Sequence, residues 1–289
     1  MQYQRVRKII NIEELRKKTV AIVGLGSLGS FTSLLLAKNG VNLNLIDFDR
    51  VSIENLSSQI YSGEDIGKYK TKALAGYLKR INREIKIKIL TEKLTPSNLK
   101  ILDSDLIIDC TDNLEARFLI DSYCYKKKMW IHTAALRATG LVYVVNNSLS
   151  DLYSGDIKLD SCSEHGILNS TASMVASIAS AQAIKVLLNE DYEKDLIRFN
   201  IWNSTFDRIK VKSLKKNEVK IIKLCRNNYS VNLSRKLDLD AISKKYNPIL
   251  RKDNLIIIKP RDNIIINRNG YIIFENTNEG EVRKWLKFL

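Results

Sequence analysis

No two cysteines in this chain lie close together. Cys110, Cys124, Cys162 and Cys225 are far apart with no CxxC, and the two histidines, His132 and His165, form no ligand pair with them. Structural zinc sites draw on closely spaced ligand pairs, so no zinc is expected. A disulfide framework is not expected either, because the chain has no secretory character. Long apolar runs are absent too. The nearest, Gly166–Leu188, is interrupted by Ser, Thr, Asn, Gln and Lys, so no membrane span is expected. The opening MQYQRVRKII lacks the apolar core of a signal peptide, and a cytoplasmic protein is the expectation. There are no internal repeats.

Charge is far from balanced. Lysine and arginine number 47 against 32 aspartates and glutamates, a formal charge of +15. Such an excess attracts acidic proteins or nucleic acid. Here the lysines are scattered, and Lys, Ile and Asn are all abundant, as in an AT-rich genome. No aromatic-basic interleaving or RNA-binding signature is present, so nucleic acid is not an expected partner. At 289 residues and 45% hydrophobic content, the chain can hold one large domain and a small one.

The most informative stretch is Lys18–Asp49, KTVAIVGLGSLGSFTSLLLAKNGVNLNLIDFD. It reads as strand, glycine loop, helix, strand. Gly24 and Gly26 let the backbone turn and approach a phosphate, and Gly29 lets the helix pack close to the strand. The helix start offers N–H groups and a positive dipole end to an anion. Asp47 lies about twenty residues on, where an acid can hold ribose hydroxyls. A lone GxGxxG usually means NAD or FAD, but no hydride-transfer pocket is evident here.

Strands are predicted at Val20–Val23, Leu43–Asp47, Ile85–Leu90, Leu106–Cys110, Trp130–Ala134, Gly140–Asn146, Ile197–Trp202 and Phe206–Val211. Helices are predicted at Asn11–Lys17, Leu28–Asn39, Lys70–Ile81, Ser97–Leu102, Leu114–Lys126 and Gly166–Leu188. The small-residue faces of the last suit close packing against the sheet or a dimer mate. The alternation gives an α/β fold with a doubly wound, mostly parallel sheet. Gly24, Asp47 and Asp109–Asn113 then meet at the strands' carboxyl ends, where such sheets bind ligands. After a charged linker, Lys212–Lys220, a small α+β unit follows, with a hairpin signal at Asn269-Gly270. The expected domains are 1–215 and 216–289.

Three further segments change the reading of the glycine loop: DFDRVSIENLSSQ (Asp47–Gln59), IGKYKTKA (Ile66–Ala73) and DCTDNLEAR (Asp109–Arg117). Their order and spacing resemble the ThiF/MoeB/HesA family, the ubiquitin-activating-enzyme-like adenylyltransferases, over roughly Arg5–Lys185. The resemblance implies a Rossmann-like fold and an ATP-dependent adenylyltransferase. Its substrate would be the C-terminal glycine of a small ubiquitin-like carrier ending in Gly-Gly. Sulfur transfer would follow, for molybdopterin, thiazole or tRNA thiolation, with a sulfurtransferase as a further partner. Some relatives conjugate the modifier to proteins, and others adenylate a peptide. A non-catalytic partner subunit is the alternative from another class, and a nicotinamide oxidoreductase is a distant third.

The resemblance also assigns roles. Gly24, Gly26, Gly29, Asp47, Asp49, Asn55, Gln59 and Lys70 would bind ATP, Asp49 by organising its loop. Lys70 would pair with phosphate oxygens and Asp112 would hold Mg²⁺. Taken alone, Lys70 reads as a solvated helix lysine, Asp47 as a strand-end turn residue, and Asp112 as a helix N-cap that Asn113 could replace. Arg117 faces the site in resembling proteins but could equally form a surface salt bridge. Arg5, in MQYQRV, matches a family arginine that crosses a homodimer to the partner's ATP; a basic tail is the plainer reading. Cys162 matches the reactive cysteine of many sulfur-transfer members, with His165 one turn on, and its plainer reading is a half-buried structural thiol. Cys110 reads as core and Cys124 as an inert helix-face residue. Two departures stand out. The family's zinc-binding CxxC pairs are missing, and Ser58 replaces the arginine of NLxRQ, a bidentate phosphate clamp that serine cannot reproduce. Arg50 and Lys68 are the nearby candidates to substitute.

Overall fold

The computed structural model describes residues 2–154, 166–211, 219–223, 227–233, 235–252, 255–259, 263–268 and 270–287. Two compact units emerge, one from residues 1–112, 127–146 and 159–211, the other from 113–126, 147–158 and 212–289.

The strands of the first unit are β1 (Thr19–Val23), β2 (Asn42–Ile46), β3 (Ile87–Leu90), β4 (Leu106–Asp109), β5 (Trp130–Leu136), β6 (Thr139–Val145), β7 (Leu196–Asn200) and β8 (Thr205–Ile209). They form one sheet in the order β3-β2-β1-β4-β5-β6-β7-β8. Pairing is parallel from β3 to β5 and antiparallel from β5 to β8. The helices among the described residues are α1 (Ile12–Leu15), α2 (Ser27–Lys38), α3 (Lys70–Ile81), α4 (Leu114–Cys124), α5 (Asn169–Leu187), α6 (Leu239–Tyr246) and α7 (Glu279–Leu286). The first unit is thus the α/β, mostly parallel Rossmann-like sheet that the alternation predicts.

β1 and β4 are buried along nearly their whole length, as strands of a sheet covered on both faces must be. α5 supplies Ala172, Val175, Ala176, Ala179 and Ala183 to the same core as Leu28 and Leu36 of α2. Its small residues therefore serve packing within the unit.

Several predicted boundaries move for local reasons. The helix expected at Gly166–Leu188 starts only at Asn169. Gly166 has φ +69, and the Arg137 amide donates to the Gly166 carbonyl, while the Leu168 amide donates to the Arg137 carbonyl. These bonds hold the preceding residues against the β5–β6 turn. The helix expected at Ser97–Leu102 is only a 3₁₀ turn, Leu99–Leu102. There Asn98 Oδ1 accepts from the Thr95 amide at 2.8 Å and its Nδ2 donates to the Lys93 carbonyl at 2.9 Å, a local bonding set that competes with helix. Strand β7 stops at Asn200 because its Oδ1 accepts from the Asn203 amide and turns the chain.

The second unit carries an antiparallel sheet in the order β11-β12-β13-β14-β10-β9, from β9 (Lys220–Lys223), β10 (Tyr229–Asn232), β11 (Leu250–Lys252), β12 (Leu255–Ile258), β13 (Ile264–Asn267) and β14 (Tyr271–Phe274). Ile256, Ile258, Ile264, Ile266 and Ile272 form its core with Leu239 of α6 and Val282 of α7. Gly270, at the predicted hairpin, has φ +92; Asn269 lies outside the described residues. α4 also belongs here. Asp121 on α4 is fully buried and accepts from the Leu149 amide at 2.9 Å, from Ser148 Oγ at 3.3 Å and from the Tyr271 hydroxyl. A buried carboxylate is tolerable only with such donors.

Tyr271→Phe keeps the ring contacts to Phe118 and Tyr125 but removes one donor to a buried acid. The expected loss is about 1–3 kcal/mol, read as a lower urea midpoint for the second unit. An unchanged midpoint would show that the hydroxyl does not stabilise the network.

Candidate active site

The register of the sheet brings the motifs together. Val23 of β1 pairs with Ile46 of β2 on one side and with Asp109 of β4 on the other. The next residues, Gly24, Asp47 and Cys110, therefore leave three neighbouring strand ends side by side. Gly24 donates to the Ile46 carbonyl at 2.9 Å, and the Cys110 amide donates to the Val23 carbonyl at 2.8 Å.

Gly24 has φ +85, and a Cβ there would lie 2.7 Å from the Cys110 carbonyl oxygen. Only glycine fits both conditions. A Cβ on Gly29 would sit 1.9 Å from the Gly24 carbonyl oxygen, so α2 packs directly on the turn. At Gly26 the surroundings are open, with Gln59 Nε2 at 3.9 Å the nearest atom a Cβ would meet. Gly26 is the N-cap residue of α2 and has no side chain to bond the first amides. Those amides are then available to an anion.

Leu25 is held at both its backbone amide and its backbone carbonyl. Its amide donates to Asp47 Oδ2 at 2.7 Å, and its carbonyl accepts from the Tyr61 hydroxyl at 2.8 Å. Asp47 Oδ1 accepts from the Asp49 amide at 2.7 Å. Asp47 thus organises the loop in this conformation. Burial pushes its carboxyl above the ordinary aspartate range, against the pull of the Asp49 and Leu25 amides and the charge of Lys70. Burial, with the nearby carboxylates of Asp47, Asp65 and Asp49, pushes the Tyr61 phenol well up, so it remains a donor. Sequence reasoning missed Tyr61, since nothing local marks an aromatic at that position as a loop clamp.

Lys70 is not a solvated lysine. It is 7% exposed, and its Nζ lies 3.2 Å from Asp49 Oδ2. Its amide donates to the Asp49 carbonyl at 2.9 Å. Asn55 sits in a 3₁₀ turn, Ile53–Ser57, where its Oδ1 accepts from the Ser52 amide at 3.0 Å. Gln59 Oε1 is buried without a hydrogen-bond partner among the described residues, and the Nε2 of the same side chain is the end nearest Gly26.

Asp112 is exposed, at the end of the β4 loop. The cap of α4 is Asn113, whose Oδ1 accepts from the Ala116 amide at 2.9 Å. Arg117 is 5% exposed, which excludes the surface salt-bridge reading. Cys110 is buried, as a core residue should be, and Cys124, expected on a helix face, is buried on α4 as well. Cys162, His165 and Cys225 lie outside the described residues. Arg5 is exposed, and its carbonyl accepts from the Lys8 amide at 3.4 Å.

The candidates to replace the missing arginine are otherwise engaged. Arg50 donates to the Gly67 carbonyl at 2.6 Å and stacks 3.9 Å from the Tyr69 ring centroid. Lys68 pairs with Asp65 at 3.2 Å.

Among the described residues no cluster of three or more metal-ligating side chains occurs. No helix among the described residues is long and apolar enough to cross a membrane.

This combination of sheet, glycine loop, buried lysine and strand-end acid defines an α/β nucleotide-binding enzyme. The ThiF family model matches residues 3–226, and the chain belongs to the ThiF family. It is 30% identical over 253 residues to a probable molybdopterin-synthase adenylyltransferase of Gracilaria tenuistipitata var. liui, covering 82% of this chain and 71% of that one. It is 35% identical over 188 residues to the molybdopterin-synthase adenylyltransferase of Escherichia coli K12, covering 61% and 75%. A crystal structure of E. coli MccB with MccA-N7isoASN aligns with a TM-score of 0.65 at 18% identity, over 73% of this chain and 72% of that one. At that identity the likeness is one of fold.

The raised Asp47 carboxyl has a testable sign. The unfolded chain loses this proton near the ordinary value of about 3.9, and the folded chain loses it later. Stability from this group is full below the unfolded value and falls as pH rises through the folded one. A carboxyl ¹³C titration should place the Asp47 midpoint above the ordinary value. A midpoint at or below it would mean that the two amides and Lys70 outweigh burial.

Proposed function

We propose that this ThiF-family adenylyltransferase activates the C-terminal glycine of a small ubiquitin-fold carrier ending in Gly-Gly. The observation that carries the reading is the alignment of Gly24, Asp47 and Cys110 at adjacent strand ends, with buried Lys70 and the Gln59 side chain beside them. Gly24–Gly29 would cradle the triphosphate of ATP through backbone amides. Gln59 and Asn55 would add polar contacts, and Asp47 would contact the ribose from its place under the loop. Lys70, positioned by Asp49, would neutralise phosphate charge in a buried setting, where a cation acts more strongly than in water. Asp112 would hold Mg²⁺, which when bound spreads the charge of the leaving pyrophosphate.

The reaction needs positioning more than covalent help. An oxygen of the carrier's terminal carboxylate attacks the α-phosphorus. The bond from that phosphorus to the pyrophosphate oxygen breaks, and an acyl-adenylate forms. Sulfur transfer would follow, through Cys162 or from a separate sulfurtransferase. Arg5 supports a homodimer, since an exposed arginine near the N-terminus gains a role only at a second subunit's ATP. The exposed apolar side chains of Ile9, Phe48 and Ile53 are also suited to burial against another copy.

One observation favours a second reading. With Ser58 in place of arginine, and with Arg50 and Lys68 engaged elsewhere, the chain would be a non-adenylating partner subunit. ATP–pyrophosphate exchange by the chain with its carrier separates the two. Under the first reading, Asp112→Ala lowers exchange by roughly a hundredfold or more. Cys162→Ala leaves exchange near the parent rate and blocks any covalent adduct with the carrier. Absence of exchange in the parent chain would favour the partner-subunit reading. Loss of exchange in Cys162→Ala would place that thiol in the nucleotide site or in the structure.

A further inference from the structure

Behind the loop that carries Asp112 lies a buried polar assembly that the proposed chemistry leaves unused. Asp109 and His132 both have fully buried side chains, with Asp109 Oδ2 2.8 Å from His132 Nδ1. The two residues sit opposite each other in the β4–β5 register. The other oxygen, Asp109 Oδ1, accepts from the Thr111 amide at 3.0 Å and from the Thr111 hydroxyl at 2.6 Å. From β5 the Thr133 hydroxyl donates to the Asp109 carbonyl at 2.6 Å. The Asp109 carboxylate therefore ties His132 on one side to the turn immediately before Asp112 on the other.

We infer that His132 is a positioning residue for Asp112. The inference rests on the reading of Asp112 as the Mg²⁺ acid. A carboxylate buried in a sheet keeps one orientation only while each oxygen has its donors. His132 fixes the Oδ2 lobe, and that fixes where Oδ1 points. Oδ1 then sets the Thr111 amide and hydroxyl, and so the direction in which the chain presents Asp112. A flexible strand end would present the same acid in many directions and hold a cation weakly. Outer partners of this kind matter for metal affinity because they orient the ligand rather than touch the ion. Asp109 and Cys110 also border the glycine loop, through the contact between the Cys110 carbonyl and Gly24. The same anchor thus sets the acid's loop against the phosphate cradle.

The test is the affinity of Mn²⁺ for the complex with α,β-methylene-ATP, read by electron paramagnetic resonance, with the melting temperature measured alongside. His132→Leu removes the donor to Oδ2 and should weaken Mn²⁺ binding by about tenfold. His132→Asn restores a donor near the Nδ1 position and should recover most of that loss. Thr111→Val removes one Oδ1 donor at a partly exposed position and should fall between the two. It also decides the matter if His132→Leu does not fold. Variants that melt earlier yet bind Mn²⁺ as the parent does would make the assembly merely structural and overturn the inference. Asp112→Ala separates the two claims. If it weakens Mn²⁺ binding while the His132 and Thr111 variants do not, only the positioning role fails. If Asp112→Ala itself leaves Mn²⁺ binding unchanged, both fail together.

Discussion

The backbone at Leu25 is the point on which the site depends. The two peptide groups that flank this residue are both fixed, because the Leu25 amide donates to Asp47 and the Leu25 carbonyl accepts from Tyr61. Neither partner is close in sequence, so the loop's shape is a tertiary product. Asp47 comes from the end of the neighbouring strand β2, and Tyr61 from the segment after the 3₁₀ turn. With both ends held, the open space at Gly26 and the first amides of α2 keep a defined direction. A phosphate cradle made of backbone donors works only when those donors are already oriented. Burying a carboxylate to orient them raises its pKa, and the two amides it accepts offset part of that cost.

The same logic recurs at the other two strand ends. Asp49 pairs with Lys70 and holds its buried ammonium group in place. Asp109 fixes Thr111 and pairs with His132, so the loop bearing Asp112 leaves β4 in one direction. In each case an acid holds a neighbouring group in place, Asp49 holding Lys70 and Asp109 holding Thr111.

Much of this was legible in the sequence, for physical reasons. The glycine loop is read from local backbone demands, and Gly24 and Gly29 meet them where expected. Helix Lys70–Ile81 was placed to the residue because its periodicity is strong. The doubly wound sheet follows from strand–helix alternation. The burial of Lys70 was not legible from its neighbours, since Lys68 and Lys72 on either side suggest solvent, and it rested on the motif. Tyr61, His132 and Thr133 were missed as site residues, because their roles come from partners brought near only by folding. The Asp121–Tyr271 pair, 150 residues apart in sequence, was beyond reach for the same reason. The short strands Lys220–Lys223 and Leu250–Lys252 also escaped notice. At four and three residues they offer too few alternations to mark a strand.

The central claim is that the Gly24–Gly29 loop serves a nucleoside triphosphate and not a dinucleotide. Titration calorimetry of the purified chain with ATP and with NAD, each with and without Mg²⁺, tests it most directly. The account predicts Mg²⁺-dependent binding of ATP and no measurable binding of NAD. Tight binding of NAD with none of ATP would contradict it.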